Sequence, residues 1–294
     1  MKKAIYILVG AAVALLLLLP SPEAAAQFTM YYGGEEVYRQ VKGTPDSIVL
    51  SYKVPTTRAS QERDLSTVGG TIAQASDAVD LGLPSGTLWA PWNVGANAAG
   101  EAGAYFAWGE VQGGKDKTTT HGYQMSTYWW ADWDSELSDW NYILKYETED
   151  GQTQQDWYYK SKFIGDGKTS LDMEDDAARA NWGGTWRMPT SAEFQELALK
   201  CKWEWQDAGE YADGALAGYK VTGPNGNFIF IPAANFWVSS YREGERSYYW
   251  TSELSTADTY SAKYFSFSQY SRSEILEDFR YMGRTVRAVC SAAK

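Results

Sequence analysis

The chain has 294 residues, among them 14 Trp, 21 Tyr and 10 Phe, with one His, two Cys and a formal net charge of −11. The lone His121 excludes any site built on two or more histidines, and two cysteines cannot make a four-thiolate zinc site or an iron–sulfur cluster. With 37 acidic against 26 basic residues, a phosphate backbone is repelled overall, so nucleic acid is not an expected partner.

Lys2 and Lys3 precede an apolar run from Ala4 to Leu19, which Pro20 ends. Ala24-Ala25-Ala26 then offers a small-x-small cleavage site, so residues 1–26 read as a secretory signal peptide. The run falls short of the roughly 20 apolar residues that a membrane span needs. No membrane span is expected after cleavage, and the product should be exported to the periplasm, the outer-membrane surface or the medium. In that oxidising setting Cys201 and Cys290 are expected to form one disulfide. Closing a loop of about ninety residues, it would contribute on the order of 4 kcal/mol.

Residues 27–53 are expected to form a small β unit, since FTMYY and EEVYRQV flank Gly33-Gly34 and SIVLSYK supplies a third strand. The polar stretch 54–76, with Gly69-Gly70, has linker composition. The main domain is then expected over 77–294. Its helical signals are sparse. Thr190 or Ser191 caps AEFQELALKC, with Glu193 placed for a capping box, and DDAARANW is a second short helix. Strands are expected at YFAWGE, GYKVTG, NFIFIPA, YYWTSE, KYFSFS and TVRAVC, with a hairpin at Asn225-Gly226-Asn227. Long irregular stretches separate them. The expected fold class is α+β, with few helices, short strands and long loops that carry function.

Seven segments follow one another in order: VDLGLPSGTLWA (79–90), WNVGA (92–96), YFAWGE (105–110), WGGTWRMPT (182–190), YKVTGPNGNFIFIPAA (219–234), YYWTSE (248–253) and GRTVRAVC (283–290). This series resembles the Fibrobacter succinogenes major paralogous domain of secreted and surface proteins in Bacteroidetes, and covers nearly all of 77–290. That family is similar to C-type-lectin-like folds, including the formylglycine-generating group and the variable proteins of diversity-generating retroelements. The resemblance implies a lectin-like fold and does not fix an activity. Formylglycine-generating enzymes use two cysteines close together near the C-terminus. Cys201 and Cys290 lie far apart, so that chemistry is not carried over.

Two surfaces are rich in residues suited to recognition. The first runs from 120 to 159, where Trp129, Trp130 and Trp133 are interleaved with carboxylates that suit a sugar's hydroxyls. The second is 237–282. In the lectin-like variable proteins, the corresponding region before the closing strand carries the binding site, and a similar use here points to Tyr248, Tyr249, Tyr264, Tyr270, Arg272 and Tyr281. For each of these, packing in a core is the competing role. The run LDMEDD offers Asp172, Glu174, Asp175 and Asp176 either as weak calcium ligands or as a helix N-terminus with Arg187 as partner. No other cofactor is expected. The functional expectation is non-covalent binding of an extracellular glycan or protein. A structural or adhesin subunit pairing through its leader strand, and a hydrolase using paired carboxylates, are the alternatives.

Overall fold

The computed structural model describes residues 68–112, 122–134, 139–149, 165–238, 241–243, 246–271 and 274–291, and the backbone of six further short strands. Residues 1–62 with 154–164 form one compact unit, and 63–153 with 165–294 form another. In the first unit, β1 (Lys3–Val9), β2 (Ala12–Leu18), β3 (Gln27–Tyr32) and β4 (Glu35–Gln40) make an antiparallel meander in that order. The expected Gly-Gly hairpin is the β3–β4 pair, closed by Tyr32 opposite Glu35. The stretch read as a signal peptide supplies β1 and β2 in the uncleaved chain. The expected third strand, SIVLSYK, lies outside the described residues.

The second unit opens with β5 (Val79–Asp80), β6 (Thr87–Trp89) and the hairpin of β7 (Ala131–Asp134) and β8 (Asp139–Ile143). The chain returns to the first unit for β9 (Tyr158–Tyr159) and β10 (Lys162–Phe163). Then follow α1 (Ala177–Trp182), α2 (Ser191–Lys200), β11 (Lys202–Gln206), β12 (Gly218–Thr222) and β13 (Phe228–Pro232). The last elements are β14 (Phe236–Val238), β15 (Tyr241–Glu243), β16 (Ser247–Leu254), β17 (Ser261–Phe267), β18 (Glu274–Phe279) and β19 (Val289–Ser291). They build three-stranded antiparallel sheets ordered β19-β6-β5, β11-β12-β13 and β16-β17-β18. The result is a mixed α+β architecture with few helices and many short strands.

Local chemistry accounts for the regular elements. Thr190 caps α2 by accepting from the Glu193 amide, and Glu193 returns a carboxylate to the Thr190 amide, so the first turn's free N–H groups are paired. Asp176 caps α1, and Gly183 ends it at φ +67. Gly226, at φ +89, makes the turn between β12 and β13. The YFAWGE segment departs from expectation. It makes a single bridge, Phe106 to Arg284, and turns at Gly109 (φ +78). The linker boundary also moves: Ala73 is buried, Trp186 donates its indole N–H to the Ala73 carbonyl, and the Val68 amide bonds Asn181. Residues 68–76 therefore belong to the domain.

Two apolar clusters fill the second unit, and its strands alternate between them. In β19, Val289 joins the cluster around Phe194, Leu197 and Ile231, while Cys290 joins the one around Trp108, Trp182 and Trp250. In β16, Tyr249 faces the first cluster and Trp250 the second. Period-two alternation thus serves two buried faces, which is why these strands carry so few charges. The same geometry corrects the expected disulfide. Both thiols are free, because Cys201 packs against one cluster and Cys290 against the other.

The closing segment buries three arginines, Arg280, Arg284 and Arg287. Arg287 bonds the Asn93 amide oxygen and the carbonyls of Ala90 and Phe230 at 2.8–3.0 Å. Arg280 bonds Tyr128 Oη and the carbonyls of Lys145, Tyr146 and Thr259. Each of these two links segments far apart in sequence by satisfying buried acceptors. Arg284 instead lies against the rings of Tyr264, Trp250, Tyr248 and Phe236, the first at 3.6 Å from the ring centre. Among the described residues it forms one ion pair, to Asp278 at 2.5 Å.

Candidate functional site

A cleft of 660 Å³ opens in the second unit. Trp205 and Asp207 come from the end of β11, Asn235 and Arg246 from the segments around the β14–β15 hairpin, and Gln269 and Tyr270 from the β17–β18 turn. The volume suits a small polar ligand or one or two sugar rings.

Backbone chemistry pins each wall. Asn235 holds φ +59, a conformation that Asn tolerates better than most residues. Its amide donates to the Arg246 carbonyl at 2.8 Å, and its side-chain oxygen accepts from the Arg246 amide at 3.0 Å. These two bonds clamp the base of the hairpin. On the opposite wall Ser268 Oγ accepts from the amides of Tyr270 and Ser271, at 3.3 and 3.0 Å, and shares a 2.8 Å bond with Ser271 Oγ. That tight turn drives Tyr270 outward until it is 94% exposed. Trp205 packs edge-on against Tyr219 at 5.0 Å, and its indole N–H donates to Asp207 at 2.9 Å.

Several groups in the cleft are uncommitted. Among the described residues the Arg246 guanidinium, the Asn235 side-chain NH2 and the Gln269 amide make no hydrogen bond. Among the described residues the exposed Tyr270 ring stacks on no other ring. The cleft thus presents aromatic surface beside free donors, which is the chemistry of polar recognition. Among the described residues its lining holds one carboxylate, Asp207, whereas glycoside cleavage uses a pair.

Of the residues expected to bind, Tyr270 reaches this cleft. Arg272 lies outside the described residues, and so does the side chain of Trp133. Burial removes three others from reach of a ligand. Trp130 donates its indole N–H to the Gly109 carbonyl and packs on Tyr146. Tyr249 bonds the Pro232 carbonyl at 2.7 Å in the core, where burial pushes its phenol up to about 12. Tyr264 is the ring closest to Arg284. Tyr248 is half-buried in the same box, Tyr281 stacks on Phe279 at 5.3 Å, and Trp129 is half-buried with its amide bonded to Glu110. Trp205, Asp207, Asn235, Arg246 and Gln269 were not anticipated. One signal was present: KWEWQD alternates, so Trp203 and Trp205 share a face. Trp203 packs on Tyr219 and Phe267, leaving Trp205 at the outer end of that stripe.

The acidic run is occupied from within the chain. Ligand atoms of Asp172, Glu174 and Asp175 lie within 4.8 Å of one another. Lys145 enters that group with its ammonium 2.6 Å from Asp172, 2.6 Å from Asp175 and 3.5 Å from Glu174. Asp176 points elsewhere, to the amides of Arg179 and Met188. The expected partner of Arg187 is corrected too: its guanidinium forks onto Glu193 at 2.6 and 2.8 Å.

One buried carboxylate stands apart. Among the described residues neither oxygen of Glu147 has a hydrogen bond of full geometry, nor do the hydroxyls of Thr148 and Thr259, the last of which lies close to the Glu147 carboxylate. Burial pushes the Glu147 carboxyl up to about 7, and the nearby Thr259 hydroxyl and Arg280 charge offset only part of that rise.

Compared with protein-family models, curated proteins and solved structures, the chain matches none.

Proposed function

We propose that this protein is an exported recognition module that binds a glycan or protein ligand non-covalently through the cleft of Trp205, Arg246 and Tyr270. The observation that carries the reading is Tyr270, a large ring 94% exposed beside donors with no partner among the described residues. Tyr270 shares the cleft rim with Trp205, so ring surface and free donors lie side by side, the pairing that polar recognition uses. Asp207 is the one carboxylate of the lining among the described residues, which favours binding over paired-carboxylate hydrolysis.

The finer fold reading belongs with this proposal. We infer a C-type-lectin-like domain related to the Fibrobacter succinogenes paralogous family. Support comes from the seven ordered motifs, the few helices, the short strands and the long connections. The apolar segment with its basic start and alanine cleavage site supports export.

A glycan array tests the reading. Specific binding that is lost in Tyr270→Ala supports it, whereas equal binding by Tyr270→Ala contradicts it. A blank array with binding to an extracellular protein, again lost in Tyr270→Ala, keeps the cleft and changes the ligand class.

A further inference from the structure

The hydrogen-bonding groups left free in the cleft are unequal in kind. Arg246 offers only donors, in a planar fork that matches a carboxylate. Asn235 has committed its oxygen to the Arg246 amide, so only its NH2 remains to face a ligand. Ser268 Oγ accepts from two backbone amides and shares one bond with Ser271 Oγ, so one O–H of the pair is left as a further donor. Asp207 has one oxygen engaged by the Trp205 indole. What remains is donor-rich, with the Gln269 amide as the balanced member. A ligand rich in acceptors is needed to satisfy it.

Charge narrows the class further. The chain carries −11 overall, so the long-range field opposes an anion, which must be held by a local contact. Arg246 is exposed and belongs to no salt bridge among the described residues, unlike Arg187 and Arg284, which are paired with Glu193 and Asp278. Its guanidinium is thus uncommitted among the described residues and faces the cleft. The rings of Trp205 and Tyr270 supply apolar faces for the C–H surface of a pyranose.

Resting on the cleft as the binding site, we propose that its ligand is an acidic saccharide of the uronic-acid type, with the sugar carboxylate forked onto Arg246 and a ring face against Tyr270 or Trp205. A carboxylate is preferred to a neutral hydroxyl because a charge-assisted, two-pronged bond uses the guanidinium fork fully.

The test compares matched pairs of oligosaccharides, each containing gluco-, galacto- or mannuronate, with their carboxyl-reduced neutral forms. Affinity is measured by calorimetry at low and high salt. The expected result is a preference of at least about tenfold for the acidic member of one pair, narrowing as salt screens the exposed contact. In Arg246→Gln that preference should vanish while residual neutral-sugar binding persists, and in Tyr270→Ala both should fall. Equal affinity for both members of every pair overturns the acidic assignment and leaves the recognition reading standing. Acidic preference that survives in Arg246→Gln overturns the role of Arg246. Absence of binding to every saccharide, acidic or neutral, overturns the saccharide class itself. Unchanged binding in Tyr270→Ala overturns the cleft as the site.

Discussion

Replacing Glu147 by Gln should make the protein more stable at neutral pH and leave it nearly unchanged in mild acid. The carboxyl is buried and short of donors, so its charged form is the disfavoured one, and its folded value is about 7 against an ordinary 4.5. The folded state therefore holds this proton more tightly than the unfolded chain does. The group's stabilising contribution is complete below about pH 4.5 and is lost as pH rises through about 7. At 1.36 kcal/mol per pH unit, the gap is worth about 3 kcal/mol. Glu147→Gln keeps the shape and removes the titration. For a domain of this size, about 3 kcal/mol corresponds to roughly 6–12 °C in Tm. Thermal melts of both proteins from pH 4 to pH 8 should show a Tm difference that opens over that window by several degrees in favour of the variant. Asp176, whose carboxyl burial pushes up to about 6, also titrates there, but it is common to both proteins and cancels. A Tm difference constant with pH would refute the reasoning.

Three further expectations follow from the buried polar groups. Arg280→Met should cost about 3–5 kcal/mol in urea unfolding, because it strips a donor from the carbonyls of Lys145, Tyr146 and Thr259 and from Tyr128 Oη, which keeps only its own bond to the Trp108 carbonyl, whereas Arg284→Met should cost roughly half as much, since an apolar chain still fills an aromatic box; equal losses would contradict this. Both Cys201 and Cys290 should react with a thiol reagent after denaturation without reductant, and a reductant should leave Tm unchanged; a blocked pair of thiols would contradict the packing of the two residues on separate clusters. Calcium should not shift Tm, because Lys145 already neutralises Asp172 and Asp175; a rise of several degrees over a chelator control would show that the ammonium yields to the ion.

What was legible in the sequence was local. The capping box of Thr190 and Glu193 and the Asn225-Gly226 turn each depend on a few adjacent residues, and each formed where expected. The helix at 175–182 formed one cap later, with Asp176 outside it. The aromatic residues were harder to place, because burial depends on which distant segment lies above a ring. Trp130 looked like a loop residue, yet Gly109 and Tyr146 enclose it. Arg187 had four acidic neighbours upstream and found Glu193 six residues downstream. The cleft itself draws on positions 205, 235, 246 and 270, which nothing local ties together. Tyr270, at the tip of a turn, was reached through the resemblance to the lectin-like variable proteins, and the alternation of KWEWQD was the one local signal for Trp205.

The cleft is tested most directly by calorimetry with the strongest glycan-array ligand, comparing Tyr270→Ala and Trp129→Ala with the unaltered protein. The two substitutions separate the cleft from the other aromatic surface that the sequence offered. The account predicts at least about a tenfold loss of affinity in Tyr270→Ala and none in Trp129→Ala. Loss in Trp129→Ala with full binding by Tyr270→Ala would contradict it.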